Sequence, residues 1–450
     1  MKFLSTSKKV FFKQLLFLAL PIMAQNLLVS SASFVDTLMV GKVGESALAA
    51  VGLANQLFFL IALFYFGVSS GAAIFIAQYW GAQDKKSMHK VIGLALMINL
   101  FGALVATIAS FFFPELLLGI FTKDETVIRL GSEYLKVVAI SYLFIAVVMI
   151  FSTALRSTTD ARTPLYISII SLFINIGFNY VLIFGKFGFP RLEVKGAALA
   201  TAIARAAEMV ILLIIIYRNK KGVAASLKEY LSFDKTLVKT YLTVCLPVIF
   251  NEILWSLGMT AYKVAYAKMG VEVIAAVNVI EAIQSLFFVV LMGTSNATAI
   301  MVGNKIGENK IAGARLYAKM LLFISFASGI VLGLFLFSLA KLLIVPFSLS
   351  REVGSLTASS LRTMSLLVPI KAVNMVLIVG LLRSGGDTRF SMFTELFGVW
   401  LIGVPCAFIG VLVLSLPLHF LYLFVGLEEL FKFFIGLFRI KSNKWITRLA

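Results

Sequence analysis

Leu155-Arg156-Ser157-Thr158-Thr159-Asp160-Ala161-Arg162 and Leu382-Arg383-Ser384-Gly385-Gly386-Asp387-Thr388-Arg389 are one loop written twice. The copies stand 227 residues apart, and each separates two long apolar runs. A shift of 226 extends the match. Leu20-Pro21 then meets Leu246-Pro247, Lys42 and Gly44 meet Lys268 and Gly270, and Ala49-Ala50-Val51 meets Ala275-Ala276-Val277. Gly67, Ser69, Ala73-Ile74 and Gly81 meet Gly293, Ser295, Ala299-Ile300 and Gly307. The chain is therefore a duplication that covers loops as well as apolar segments.

Composition says what is duplicated. The 450 residues are 60% hydrophobic and only 14% charged, against about a quarter charged in soluble domains. This excludes a soluble enzyme, a disordered chain and a disulfide-rich module, and leaves a polytopic helical membrane protein. A strand barrel would alternate about every second residue, whereas these runs are unbroken. A span needs about 20 apolar residues, and twelve such runs follow one another, from 14–38 to 416–438. Met1–Lys13 is polar and basic, and the run after it is long enough to remain in the bilayer rather than serve as a cleaved leader.

Six spans per half make both halves enter the membrane in the same direction. The expected fold is all-α, with two six-helix lobes related by a pseudo-twofold axis along the membrane normal. The expected parts are an amino-terminal lobe at 1–217, a cytoplasmic linker at 218–239 and a carboxy-terminal lobe at 240–450. The net charge is +19. Its bases sit in short loops, so a membrane accounts for them better than nucleic acid does. Lys and Arg number 26 in the end segments and even-numbered loops, against 11 in the odd-numbered loops. This places both termini in the cytoplasm. Cys245 and Cys406 lie in apolar runs and read as small hydrophobes, and the two histidines are isolated, so no metal cluster is expected.

Charges inside spans are costly unless they face a cavity or a partner. The acids singled out on this ground are Asp36, Glu208, Glu252, Glu281 and Glu395. Asp36 lies about 22 residues into the first run, roughly 33 Å along the helix. A carboxylate there can hold a proton or, with neighbouring oxygens, a sodium ion. Asn175 and Asn179 are four residues apart and share a helix face. Lys371 is the only charge in the middle of the tenth run and is expected to pair with Glu252 or Glu281. Arg205 and Glu208, three apart, read as a local structural pair. Pro21 and Pro247 fall at matched places inside the first and seventh runs, where each removes a backbone hydrogen bond and allows a bend. Phe58, Phe59, Tyr65 and Met292 are candidates for a cleft that takes flat cations, with ordinary packing as the more common role of such residues. The repeat is not symmetric in charge: Asp36 aligns with Tyr262, Glu252 with Asn26, and Glu281 with Asn55.

Together these residues resemble the multidrug and toxic compound extrusion (MATE) family, in its bacterial norfloxacin-exporter-like branch. The likeness rests on Leu20-Pro21 with Val35-Asp36-Thr37-Leu38-Met39-Val40-Gly41, and on Gly81-Ala82-Gln83. It rests also on Leu155-Arg156-Ser157 with Asp160, on Asn175 and Asn179, and on the matching Gly303–Gly307 and Leu382–Asp387 segments. The resemblance implies a secondary antiporter of the inner membrane, driven by an inward proton or sodium gradient. It would need no cofactor, work as a monomer among membrane lipids, and export organic cations and drugs by alternating access of a central cleft. It implies that Asp36, Asn175, Asn179 and Ser152 form the cation-coupling site, and that Glu252, Glu281 and Lys371 belong to a polar site in the second lobe. This chain departs from the family pattern by carrying Asn179 where some members have Asp, and by having no acid between Glu352 and Asp387. The nearest rival is a lipid-linked oligosaccharide flippase of related architecture. An ATP-driven pump and a membrane enzyme are disfavoured, because the sequence has no phosphate-binding loop and no catalytic cluster.

Overall fold

The structure, a computed structural model, describes residues 2–347 and 349–449, with side chains from residue 9 onward. Every extended element among the described residues is helical. The first span is Lys2–Gly41, the second Glu45–Gly81 and the third Lys85–Phe112. The fourth is divided at Ala139 into Glu125–Val138 and Ile140–Ser157, and the fifth and sixth are Arg162–Phe184 and Glu193–Arg218. The second half repeats the scheme with Lys235–Ala267, Val271–Gly307 and Ile311–Leu343 as spans seven to nine. The tenth bends by 54° between Arg351–Ser365 and Val368–Leu382, and the eleventh covers Thr388–Leu412.

Ten of these helices are long and apolar enough to cross a bilayer, and the bent pair makes eleven. The twelfth span, expected at 416–438, is split into Leu418–Val425 and Leu427–Lys441 and carries Glu428, Glu429 and Lys432. Those charges lower its apolarity without changing its place in the repeat. Phe101, Phe173, Phe323 and Phe438 are each about 70% exposed on helix flanks. Such surfaces suit acyl chains, because lipid contact removes the cost that water would impose on them.

The chain packs as two compact units. One runs Leu20–Ile249, and the other joins the residues up to Ala19 to those from Phe250 onward. Both changes of unit fall within three residues of a proline, Pro21 in one helix and Pro247 in the other, and both helices continue through their prolines. In the first unit a tight core gathers Val51, Ala54, Tyr65, Tyr142 and Ala146. Tyr65 is wholly buried, donates to the Tyr142 carbonyl at 3.2 Å, and has Phe58 stacked beside that tyrosine. Phe58 and Tyr65 thus pack within the unit, whereas Phe59 is 44% exposed. The second unit has its own core around Tyr266, Ile280, Leu336, Leu361 and Leu421.

The duplicated loops fold alike. Thr159 and Gly386 both adopt positive φ, +69° and +85°. The Asp160 and Asp387 amides donate back to the Leu155 and Leu382 carbonyls at 2.8 and 3.0 Å. Gly386 is needed for more than its backbone angle. A residue of the carboxy-terminal tail, Ile446, pairs with it, and Thr447 donates to the Gly385 carbonyl at 2.7 Å. Each aspartate also meets a base, Asp160 with Lys221 at 2.8 Å and Asp387 with Arg439 at 2.7 Å, and Asp160 accepts from Thr163 as well. Burial pushes the Asp160 carboxyl up, but the hydrogen bonds from Lys221 and Thr163 outweigh it and hold the group below the ordinary carboxylate value.

A carboxyl with a depressed folded pKa contributes stability above its unfolded value, near 4, and loses it as pH falls through the folded value. Lys221→Ala should remove on the order of 1 kcal/mol at neutral pH, since the pair is partly exposed. It should also flatten the acid limb of the stability profile. Thermal unfolding in detergent between pH 3 and 7 checks this, and an unchanged acid limb would contradict the assignment.

Candidate functional site

The first unit holds an acid where a span meets two buried amides. Asn175 and Asn179 lie one turn apart on the fifth span, 6% and 0% exposed. Asn179 Nδ2 donates to Asp36 Oδ1 at 2.5 Å and to Asn175 Oδ1 at 3.1 Å. The second bond fixes the amide so that its nitrogen faces the aspartate, which solvates a carboxylate without placing a counter-charge on it. Asn179 Oδ1 has no hydrogen-bond partner among the described residues. That oxygen is free to accept from a protonated acid or to face a small cation. Asp36 and Asn175 line a cavity together with Ser171, Thr201, Arg205 and Glu208. Ser152 is buried on the fourth span and lies outside that lining.

Beyond the cavity a polar column continues through the same unit. Glu208 accepts from Arg205 Nη1 at 2.7 Å and from the Ser168 and Ser171 hydroxyls at 3.3 Å each. Gln25 Nε2 donates to Ser168 at 3.0 Å, and Arg156 donates to Gln25 Oε1 at 3.1 Å and to Thr153 at 3.0 Å. Arg156 thereby ties the end of the fourth span to the first, one turn past Pro21.

The second unit repeats this frame with different charges. Arg383, the counterpart of Arg156, is 3% exposed and pairs with Glu252 at 2.8 Å and Glu395 at 3.6 Å. Asn251, the counterpart of Gln25, donates to Glu395 at 2.6 Å. Tyr262, the counterpart of Asp36, donates to Glu428, which also pairs with Lys432 at 3.6 Å. Asn374 donates to Glu429 at 2.7 Å, and Lys371 acts electrostatically on Glu428 and Glu429.

Two π-helical turns, Val376–Leu382 and Gly398–Gly403, border this cluster. Such turns re-aim side chains and often mark functional positions. Gly403 is required there, because a Cβ would collide with the Tyr262 hydroxyl and the Glu428 carboxylate.

The expected pairing of Lys371 with Glu252 or Glu281 is overturned. Glu252 is held by Arg383, and Glu281 by Lys263 at 2.8 Å. Spacing along the chain located the charges but not the helix faces from which they project. Arg383 is corrected as well. It reads as a cytoplasmic loop base, yet its side chain turns back into the unit. Sequence reasoning missed Glu428, Glu429 and Lys432. The signal was present as an acid and a base four residues apart in an otherwise apolar run. No group of three or more His, Cys, Asp or Glu residues suited to a metal ion occurs among the described residues.

Comparison with known proteins agrees with the duplication. The MatE family model matches residues 21–181 and again 247–409. The protein named "Probable multidrug resistance protein NorM" of Thermotoga maritima is 27% identical over 438 residues, 97% of this chain and 93% of that protein. YoeA of Bacillus subtilis, also named as a multidrug resistance protein, is 28% identical over 407 residues, 90% of this chain and 88% of YoeA. Among solved structures, a mutant of the Vibrio cholerae MATE transporter VcmN superposes with a TM-score of 0.89 at 17% identity, covering 98% and 99% of the two chains. A transporter of the MOP superfamily from Pyrococcus furiosus gives 0.86 at 21% identity, covering 96% and 95%.

Proposed function

The chain belongs to the MatE family of multidrug efflux transporters, and on that premise we propose that it exports organic cations by antiport against an inward proton gradient. The observation that carries this reading is the setting of Asp36, a lone carboxylate on a proline-containing span, faced by the amide nitrogen of Asn179. The direct contact on the carboxylate is an amide N–H donor rather than a further oxygen, which supports a group that exchanges a proton.

Protonation removes the charge that the Asn179 amide solvates and changes the stability of whichever helix conformation presents it. Pro21, fifteen residues earlier, leaves the first span a place to bend. Proton and drug then favour opposite facings of the transporter, and each promotes release of the other. Glu252 and Glu395 share the single Arg383, which leaves that cluster of the second unit one negative charge in excess to attract cationic cargo. We place both termini in the cytoplasm, following the distribution of basic loops, and read the protein as an inner-membrane monomer by likeness to the family.

Purified protein in liposomes tests the reading, with proton and sodium gradients imposed separately. Ethidium efflux should follow the proton gradient and be absent when only sodium is unequal. Efflux driven by sodium at matched pH would replace the proton with sodium. Lipid scrambling without ethidium movement would overturn export altogether.

A further inference from the structure

Arg205 and Glu208 read from the sequence as a local structural pair, yet they line the same cavity as Asp36. Glu208 is 3% exposed and has a full set of donors: the Arg205 guanidinium and the hydroxyls of Ser168 and Ser171. Arg205 is looser. Its side chain is 29% exposed, and its one ion pair among the described residues is to Glu208. It also acts electrostatically on Asp36, and a guanidinium carries five N–H groups and a permanent charge. Two acids therefore stand within the influence of a single fixed cation, and in this structure the cation sits with Glu208.

The other charged or titratable group facing Asp36 is Tyr134 of the fourth span, which is within its electrostatic reach. The fifth span contributes only the neutral amides Asn175 and Asn179. The cavity thus sums to two negative charges and one positive.

The duplicated frame supplies an independent comparison. In the second unit, the position of Asp36 is occupied by Tyr262. That tyrosine donates to Glu428 of the twelfth span, an acid that again has its own base, Lys432, on the same helix. In both units, then, the first helix of the half stands beside an acid–base pair from the last helix. Only in the first unit does that first-helix residue carry a charge that a mobile ion can neutralise.

We propose that Glu208 is a positioning residue that keeps Arg205 off Asp36, so that the cavity lacks one positive charge and takes one monovalent cation per transport cycle. This rests on the reading of Asp36 as the coupling group. Without the Glu208 charge, Arg205 turns to Asp36 and acts as a tethered counter-ion, and the acid no longer needs an ion from solution. Without the Arg205 charge, two carboxylates face the cavity and a second cation is taken up.

The test uses full-length protein in liposomes with an imposed proton gradient. Initial ethidium efflux and the static-head dye ratio are measured for wild type, Glu208→Gln, Arg205→Gln, the double variant and Asp36→Asn. Glu208→Gln should lose at least tenfold of gradient-driven efflux and its dependence on external pH. The double variant restores a cavity with one acid and no competing base, and should return efflux to within about threefold of wild type. For Arg205→Gln, the logarithm of the static-head dye ratio should rise about twice as steeply with the imposed gradient.

A purely structural pair predicts instead that both single variants and the double lose thermal stability and activity together, with no rescue, and that result overturns the proposal. So does a Glu208→Gln protein with unaltered coupling. Where Glu208→Gln does not fold, the gradient dependence in Arg205→Gln decides, and a slope equal to wild type sinks the idea. If Asp36→Asn remains coupled, the coupling reading itself falls. If Asp36→Asn is uncoupled while the pair can be changed freely, only the inference about Glu208 falls.

Discussion

Asp36→Asn should lower gradient-driven efflux at least 100-fold while leaving the fold intact. The replacement is nearly isosteric, and its amide oxygen can still accept the hydrogen bond that Asn179 Nδ2 gives to the native Oδ1. The packing around Asn175 and Asn179 therefore survives, and unfolding temperatures should agree within about 3 °C, a difference below roughly 1 kcal/mol. What is lost is the ability to exist in two charge states. Moving a two-state equilibrium from 1:99 to 99:1 needs a differential affinity of about 10⁴-fold. An aspartate supplies this by being neutral in one facing and ionised in the other, and an amide has no such second state. Downhill movement of dye should persist, because cargo recognition does not depend on that proton. The measurement is ethidium flux in liposomes with and without an imposed pH gradient. A variant that concentrates dye against its gradient at the wild-type rate would exclude Asp36 from coupling.

The second large effect is expected for stability rather than transport. Arg383→Ala removes the cation shared by Glu252 and Glu395, in a site where the arginine side chain is 3% exposed. Breaking a buried ion pair from one side commonly costs about 3–5 kcal/mol, because the remaining charge is left without compensation. Here two carboxylates are left, each raising the cost of ionising the other. Asn251 can satisfy part of one of them, but it brings no charge. A fall in unfolding temperature on the order of 10 °C should follow. Combining Arg383→Met with Glu252→Gln and Glu395→Gln replaces the triad by neutral groups of similar size, and should recover most of the loss. Thermal unfolding of the detergent-solubilised proteins checks both steps. A loss below about 1 kcal/mol for Arg383→Ala would mean that water, not the guanidinium, compensates these acids.

The same arginine shows where reading along the chain stops being sufficient. Arg156 and Arg383 are recognisable as counterparts because the loop around them recurs, and both loops do fold with the same left-handed residue and the same back-bonded aspartate. Their partners were not legible. One reaches Gln25 and Thr153, the other Glu252 and Glu395. Those contacts depend on which way a long side chain turns at the end of a span, and that is settled by neighbouring helices. Lys371 shows the same in reverse: its spacing points to Glu252 and Glu281, and other bases hold both acids.

By contrast, Asn175 and Asn179 do share a face and Asp36 does have a polar neighbour, although that this neighbour is Asn179 was implied only by the family resemblance. An i, i+4 pair must share a helix face, and an acid in an apolar run must find a polar environment. Spans, their duplication and the positions of prolines and intramembrane acids follow from the chain alone, because the bilayer imposes a minimum apolar length and a penalty for charge that any ordering of residues must obey. Tertiary packing decided who meets whom across helices: Glu252 with Arg383, Glu281 with Lys263, and Glu428 with Tyr262. Helix azimuth and the crossing of distant spans set those pairings, and neither is written in local spacing.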